Sequence, residues 1–448
     1  MTTHTSVASN DTRVGPNDII VGLDIGTTKI ACFVGQKNEH GKVIILGSGR
    51  SESLGVKRGV VSNIQQTVDS IRRAVDEAEM NSGVTIARVN VGIAGQHIRS
   101  QQRNGMIARN NGETEITRED IEALIQQQKG YMNNPGEEII HVMPQEYTVD
   151  GETGIKYPIG MNGVRVEAMF HVITGQISSI RNIYRCIKKA GLEVDELILE
   201  PLASSASVLS EDELEAGVAL VDIGGGTTDI AIFQDNIIRH TAVIPLGGNI
   251  VTEDIHKGCA IMKRQAEKLK QQFGSAIATE MKDNEIICIP GLRGRDPREI
   301  SRRNLAHIIE ARMTEIIEFV HYEINNSGHA DNLVGGVVLT GGGSMLKHAA
   351  QLFEYRTGIS CRIGYPNEHL GELPEEAITS PSFATGVGLV LKGYEDQIDP
   401  HALTTHDQTT TQQGPDEPEE PKAPREPIGR NFLRTLRDFF EADEEFQN

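Results

Sequence analysis

Apolar residues in this chain recur with two different periods, and the places where the period changes divide it into elements. Two continuous apolar runs, Ile19-Ile20-Val21-Gly22-Leu23 and Val218-Ala219-Leu220-Val221, each enter a Gly/Thr turn. They resume as Ile30-Ala31-Cys32-Phe33-Val34 and Ile230-Ala231-Ile232-Phe233. Short runs rich in β-branched residues and bounded by glycine predict buried strands joined as hairpins. Ile64, Val68, Ile71 and Val75 share one helical stripe, which predicts a helix over Asn63–Met80 with Ser62 and Gln65 as a capping box and Gly83 as its stop. Strands are predicted at His171–Thr174 and Glu193–Leu199, flanking a helix over Ser178–Ala190 that Gly191 ends. A long charged helical stretch, Thr252–Phe273, precedes a Pro/Gly loop over Asp283–Arg298 and a helix over Ser301–Asn325. The strand Gly336–Leu339 then runs through T-G-G-G-S into a helix ending near Tyr355. Between His97 and Glu167 the pattern breaks into an Asn/Gln/Gly-rich stretch, with a short helix, Asp120–Gln128, capped by Thr117 and several short strands. Strands alternating with helices around a duplicated hairpin predict two α/β halves, the first carrying this inserted module.

The chemistry gathers at the turns. Asp24–Ile30 reads D-I-G-T-T-K-I and Asp222–Ile230 reads D-I-G-G-G-T-T-D-I. Glycines let a backbone close on an anion, and threonine hydroxyls add donors. Gly26, Thr27, Thr28 and Lys29 in the first copy, and Gly224, Gly225, Gly226, Thr227 and Thr228 in the second, are therefore candidate phosphate-binding residues. The leading Asp24 and Asp222 suit a hydrated divalent cation, held through water. One D-x-G-T-T turn is weak on its own, but two in matching strand contexts suggest two half-molecules gripping one polyphosphate. A third turn, Gly341, Gly342, Gly343 and Ser344 followed by Met345, closes a strand at a helix N-terminus, a place suited to a nucleotide. Its spacing is neither that of a dinucleotide fingerprint nor that of a P-loop.

Composition narrows the classes. A chain of 448 residues exceeds one hydrophobic core, so at least two domains are expected. No apolar run reaches the ~18 residues of a membrane span, and the polar N-terminus lacks the apolar stretch of a secretory signal. Five scattered cysteines without C-x-x-C spacing read as reduced, buried side chains. A formal charge of −20 argues against nucleic acid as a partner.

Taken in order, the three turns resemble those of the actin, heat-shock-chaperone and sugar-kinase ATPase superfamily. The resemblance implies a ribonuclease H-like duplicated two-domain fold with ATP and Mg2+ in the cleft. Glu196–Ala203 is similar to that superfamily's first connecting helix, which implies a role for Glu200 near the attacking water. Phe383–Gly388 resembles its second connecting helix, where small residues allow close approach at a hinge. Gly247-Gly248, followed by Glu267 and Lys270, is similar to the segment that meets phosphate and ribose. The catalytic candidates are thus Glu200, Asp24 and Asp222, and the resemblance implies slow ATP hydrolysis at most. The wording H-V-M-P-Q-E-Y-T-V-D-G from His141 and P-I-G-M-N-G-V-R-V-E from Pro158 resembles the FtsA family of actin-like bacterial division proteins. That likeness implies an N-terminal tail at 1–17 and a subdomain IA at 18–97 and 170–198, with the chain returning near 380–393. It further implies an inserted IC at 98–169, IIA at 199–250 and 326–379, and IIB at 251–325. The PilM family of pilus-assembly scaffolds, which lacks a tethered C-terminal helix, is the alternative; a small-molecule kinase would need a substrate-pocket Asp that nothing marks.

Residues 394–427 are rich in Pro, Thr, Gln and acid, with only Lys422 and Arg425 opposing the acids, and read as a disordered linker reaching roughly 30 Å. In 428–448, Phe432, Leu433, Leu436, Phe439 and Phe440 fall on one helical face, with Arg430, Arg434 and Arg437 outside it. A helix docking on its own body needs no such tether, so this reads as an interfacial helix for anionic membrane, a partner groove being the alternative. Arg293, Arg295, Arg298, Arg302 and Arg303 crowd one stretch of an acidic chain. The family resemblance places the acidic tail of FtsZ there, near Arg302 and Arg303. It also implies head-to-tail self-assembly, other division proteins as partners, and a peripheral location on the cytoplasmic face of the inner membrane at the septum.

Overall fold

A computed structural model describes residues 19–398, apart from 111, 113, 131–134, 283, 291–295 and 372–377. The first half opens with an antiparallel meander: β1 (Ile19–Ile25), β2 (Lys29–Lys37) and β3 (Val43–Glu52). A tight pair, β4 (Val56–Lys57) and β5 (Val60–Val61), leads to α1 (Ile64–Ser82) and the parallel strand β6 (Arg88–Ile93). The inserted module follows: β7 (Ile98–Ala108), α2 (Arg118–Gly130), β8 (Glu137–Val149), β9 (Glu152–Ile155) and β10 (Arg165–Gln176). Then come α3 (Ile177–Ala190), β11 (Glu193–Leu199), α4 (Glu200–Val208) and α5 (Glu211–Ala216).

The second half repeats the plan. A meander of β12 (Val218–Ile223), β13 (Thr228–Gln234) and β14 (Ile237–Ile244) precedes α6 (Gly248–Cys259) and α7 (Lys263–Phe273). A small hairpin, β15 (Ile286–Ile289) with β16 (Arg298–Ser301), and the long α8 (Arg302–Asn326) come next. The chain continues through β17 (Val337–Thr340), α9 (Gly341–Ser344), α10 (Ala349–Thr357), β18 (Cys361–Ile363) and α11 (Ala384–Ile398).

The sheets run β11-β6-β1-β2-β3 and β14-β13-β12-β17-β18, the same order of an antiparallel meander with two parallel strands added at one side. The predicted duplicated α/β fold is therefore present, and the third sheet, β7-β10-β8-β9, is the inserted module. Central strands are buried on both faces, as the continuous apolar runs require: β12 reads Val-Ala-Leu-Val with every one of these side chains fully buried.

Several boundaries differ from expectation, each for a physical reason. Asn63, not Ser62, caps α1 by accepting from the Gln66 amide, while Ser62 donates to the Gly55 carbonyl. The Thr252–Phe273 stretch is two helices, broken where Ala260 turns left-handed at φ 49°. Within Asp283–Arg298, β15 and the start of β16 form strands, and Glu196–Leu199 belongs to β11, so the connecting helix begins at Glu200. The helix after the T-G-G-G-S turn stops at Ser344 and restarts at Ala349, after His348 at φ 64°. Three of the inserted module's four strands are long, β8 spanning 13 residues, and only β9 is short at 4. No helix among the described residues is long and apolar enough to cross a membrane.

Candidate functional site

Each hairpin of the two meanders ends at the same level, because β1 pairs with β2 and β12 with β13 down to the tip: Ile25 faces Ile30, and Ile223 faces Thr228. Between the tips lies a cleft of about 690 Å3. It is lined by Asp24, Gly26, Thr27, Thr28 and Lys29 from the first tip, and by Asp222, Gly224, Gly225, Gly226 and Thr227 from the second. Glu200, Gly248, Glu267, Lys270, Gly341, Gly342, Gly343 and Met345 complete the predicted set on its walls. Residues far apart in sequence thus converge on one cavity.

The glycines are dictated by this closeness. A Cβ on Gly225 would lie 1.9 Å from Thr28 Oγ1, and one on Gly226 would lie 2.6 Å from Thr27 Oγ1. Gly341 adopts φ +80° and comes within 2.2 Å of Asp222 Oδ1 at its would-be Cβ, so this turn accepts no side chain. The second tip is welded to the start of α6, where the Gly248 and Asn249 amides donate to the Gly224 and Gly225 carbonyls at 2.9 and 2.8 Å. Thr27 Oγ1 accepts from the Gly59 amide at 3.1 Å, which ties the first tip to the β4–β5 turn.

Two predicted residues do not face the cavity. Thr228 is buried and its hydroxyl donates to the Leu246 carbonyl at 2.9 Å; the Ser344 hydroxyl donates back to the Gly341 carbonyl at 2.7 Å. Both hydroxyls are spent on backbone, so these residues shape the turns rather than contact a ligand. Arg302, which the family resemblance places near the site of the FtsZ tail, also lines the cleft and pairs with Glu285 at 2.7 Å. Arg303 lies beside it in the first turn of α8. Arg293 and Arg295, linker residues 399–427 and the residues Arg430–Phe440 lie outside the described residues. Residues 394–398, expected in the disordered linker, instead continue α11, because Tyr394 is buried and its hydroxyl donates to the Gly35 carbonyl at 3.0 Å.

Electrostatics single out a carboxylate cluster. Burial pushes the Asp24 carboxyl up to about 6; Lys29 opposes the shift and Asp222 adds to it. Asp229, which the sequence reading quoted but did not single out, is pushed up to about 7 by burial and then by Asp222. Glu200 is raised well above the usual range by burial and by Asp24, Asp229 and Asp222. Asp222 is raised by burial, with the Ser204 and Thr385 hydroxyls and Lys29 pulling it back. Those hydroxyls donate to its Oδ2 at 2.9 and 3.4 Å from α4 and α11, so both connecting helices hold one carboxylate. Asp229 Oδ2 accepts from Thr227 at 2.9 Å, while its buried Oδ1 has no hydrogen-bond partner among the described residues. Such a cluster, confined beside the Lys29 ammonium, is suited to a cation or to a water held for reaction.

Farther along the cleft, Lys270 donates to the Gly248 carbonyl and to Thr252 Oγ1, both at 2.9 Å, and pairs with Glu267 at 2.8 Å. That pair stands on one face of α7, as its spacing predicts. Asn249, Gln271, Gln272, Lys347 and Ser382 also line the cavity. Sequence reasoning missed them because no local motif marks them.

A model described as "Cell division protein FtsA" matches residues 219–388, and one described as "SHS2 domain inserted in FTSA" matches residues 95–174. The chain is 41% identical over 400 residues to a cell division protein FtsA of Pseudomonas aeruginosa, covering 89% of this chain and 95% of that one. It is 38% identical over 391 residues to one of Escherichia coli, covering 86% and 92%. For one of Bacillus subtilis the figures are 36% over 375 residues, 84% and 83%. Among solved structures, a PilM–PilN type IV pilus biogenesis complex is similar in fold at 17% identity and TM-score 0.58, covering 84% of this chain and 98% of that one. MreB 5 of Spiroplasma citri bound to AMPPNP is similar at 15% identity and TM-score 0.51, covering 86% and 99%. With the duplicated sheets, the inserted module and identity sustained over most of both sequences, the chain belongs to the FtsA family of cell division proteins.

Proposed function

We propose that the chain is a nucleotide-gated membrane scaffold of bacterial division. It binds ATP and Mg2+ in the cleft, assembles head to tail on the cytoplasmic face of the inner membrane at the septum, and there holds FtsZ and other division proteins. The observation that carries this reading is the convergence of two like hairpin tips and a third glycine turn on one cleft, in a member of a division-protein family.

The residues fit the ligand. Backbone amides and hydroxyls of Gly26–Thr28 and Gly224–Thr227 suit the phosphates, Glu267 and Lys270 suit the ribose, and Gly341–Gly343 with Met345 suits the base. No three His, Cys, Asp or Glu side chains among the described residues group closely enough to cage a metal. Mg2+ itself keeps several waters and shares phosphate oxygens, so Asp24 and Asp222, with the unpartnered Asp229 Oδ1, would hold it through water. When bound, the ion neutralises phosphate charge. Glu200, whose carboxyl holds its proton far above the usual range, can hydrogen-bond a water but is a weak base in that form. This supports slow turnover and a role as a switch.

Residues 428–448, outside the described residues, would supply the anchor. Five apolar side chains contribute about 1.5–3 kcal/mol each when buried. Ordering the helix costs on the order of 1 kcal/mol per residue, so one subunit holds weakly and a filament holds by avidity. The FtsZ tail is assigned to the β15–β16 hairpin and the start of α8, near Arg302 and Arg303. Arg302 would join that surface to the cleft wall.

The deciding experiment is electron microscopy on an anionic lipid monolayer with ATP, using the full chain and a chain ending at Pro427. Filaments on lipid for the full chain alone are expected. Equal lipid binding by both would remove the anchor, and no filaments for either would remove the polymer.

A further inference from the structure

Lys29 opens β2 at the first hairpin tip, and its side chain stands between two environments. On one side is the cleft, which it lines together with Ser382. On the other is the single helical turn Pro381–Phe383 that immediately precedes α11. The Lys29 ammonium donates to the Ser382 carbonyl and lies 3.5 Å from the centroid of the Phe383 ring. Phe383 in turn meets Phe33 of β2 edge-on, with centroids 5.5 Å apart and planes at 70°. The Phe33 ring fills the space where a Cβ on Gly386 would sit, at 2.4 Å. Strand β2, the two rings and the start of α11 therefore form one packed stack, with the Lys29 ammonium at its cleft end. Thr385, one helical residue further, donates to Asp222. A shift of residues 381–385 thus reaches the carboxylate of the opposite hairpin.

A carbonyl dipole and a ring quadrupole are modest partners for an ammonium, whereas a phosphate oxygen adds a full opposite charge to the hydrogen bond. We propose that Lys29 is a positioning residue that links phosphate occupancy of the cleft to the hinge helix α11, its ammonium being divided between the nucleotide phosphates and the cradle of Ser382 and Phe383. The proposal rests on the nucleotide reading of the cleft. Drawing Lys29 toward phosphate releases the turn before α11, and the released turn lets the two connecting helices adjust around Asp222. Burial lowers the Lys29 amine to about 8, against the opposing pull of Asp24 and Asp222, which matches an ammonium that gains from any added negative charge.

The test perturbs the ring, which does not line the cleft. Phe383→Leu removes the cation–π partner, and Phe383→Trp supplies a stronger one. Binding of a fluorescent ATP analogue with Mg2+ to the full chain is expected to tighten roughly threefold or more in Phe383→Leu and to weaken in Phe383→Trp. A merely structural ring would instead lower the melting temperature of both variants and tighten binding in neither, and that result would overturn the link. The native sequence contains no tryptophan, so the Phe383→Trp chain also carries a unique emission. ATP should shift that emission, and should not when Lys29→Met is added; the same shift in both chains would overturn the link. Equal affinities in the unmodified chain and both Phe383 variants remove the link alone. Absence of ATP binding by the unmodified chain removes the nucleotide reading and the link together.

Discussion

The sharpest single perturbation of the hinge is Gly388→Ala. Helices α4 and α11 cross so closely that a Cβ at position 388 would lie 1.7 Å from the Ala203 carbonyl oxygen, 2.3 Å from its carbonyl carbon and 3.1 Å from its Cα. These are backbone atoms inside a helix, so no rotamer change relieves them. Regaining van der Waals separation near 3.5 Å requires the helices to part by roughly 1.8 Å. The separation disturbs a core in which Val387, Leu389 and Val390 are buried. Overpacking of this kind costs about 1–3 kcal/mol and occasionally more, and backbone obstruction puts it at the upper end. Replacing a helical glycine by alanine returns about 1 kcal/mol, so a net loss of about 2 kcal/mol is expected. Function should fall too, because Ser204 of α4 and Thr385 of α11 both hold Asp222. Urea unfolding followed by circular dichroism measures the first effect and a nucleotide titration the second. Gly130→Ala at the end of α2, where a Cβ would meet nothing within 4 Å, is the control and should be neutral or slightly stabilising. A Gly388→Ala chain as stable as the parent would refute close helix approach as the reason for this glycine.

Three further outcomes follow from the cleft. The Asp24 and Asp229 carboxyls, pushed up to about 6 and about 7, keep protons that the unfolded chain loses above about 4. The folded state then binds more protons than the unfolded one, so their contribution to stability should fall as pH rises from about 4 to about 7, by several kcal/mol at most. Urea midpoints across that range should show the fall, and Asp229→Asn should flatten it; an unchanged slope in the variant would count against burial of that carboxylate. Asp222→Asn removes one charge from a repelling group while leaving an oxygen for Ser204. Melting temperature should hold or rise while Mg2+–ATP affinity drops at least tenfold, and retained affinity would sink the hairpin reading. Arg302→Ala should weaken nucleotide binding as well as partner capture, since this residue lines the cleft and braces Glu285; loss of partner binding alone would confine it to the outer surface.

The meanders were legible because both faces of their central strands are covered, so the code is a plain apolar run ended by glycine, repeated. The inserted module was recognisable as a break in pattern, but its strand lengths were not. Strand β7 has a largely solvent-exposed face, and its Arg-Ser-Gln-Gln-Arg-Asn stretch hides the alternation. The break between α6 and α7 escaped because Ala260 occupies the left-handed position where glycine or asparagine would have signalled a stop. Thr228 and Ser344 were selected as hydroxyls in a turn, and only the fold shows that both point back to carbonyls. Arg302 was grouped with its basic neighbours by sequence density, but its position depends on pairing with Glu285 across the β15–β16 hairpin, a register that local charge cannot reveal. Asp229 closes the second motif, but its importance arises from facing Asp222 across β12 and β13.

That pairing supports the proposed role of the cleft as a switch. A protein selected for stability alone would not bury Asp24, Asp222, Asp229 and Glu200 within range of one another, because each raises the cost of ionising the next. Nor would it close two hairpin tips until a Cβ on Gly225 would fall within 1.9 Å of the opposing threonine. Both features become favourable only when a cation and phosphates supply the missing charge and donor partners. Whatever binds the folded state alone stabilises it in proportion to RT ln(1 + [L]/Kd). The same carboxylate that gains from the ligand, Asp222, is held by α4 and α11 together. In the proposed function, ligand binding would thereby be transmitted to the angle between the halves, and a subunit whose halves are fixed would present matching faces to the next. Under the proposed function, the repulsion built into the cleft would make assembly depend on nucleotide.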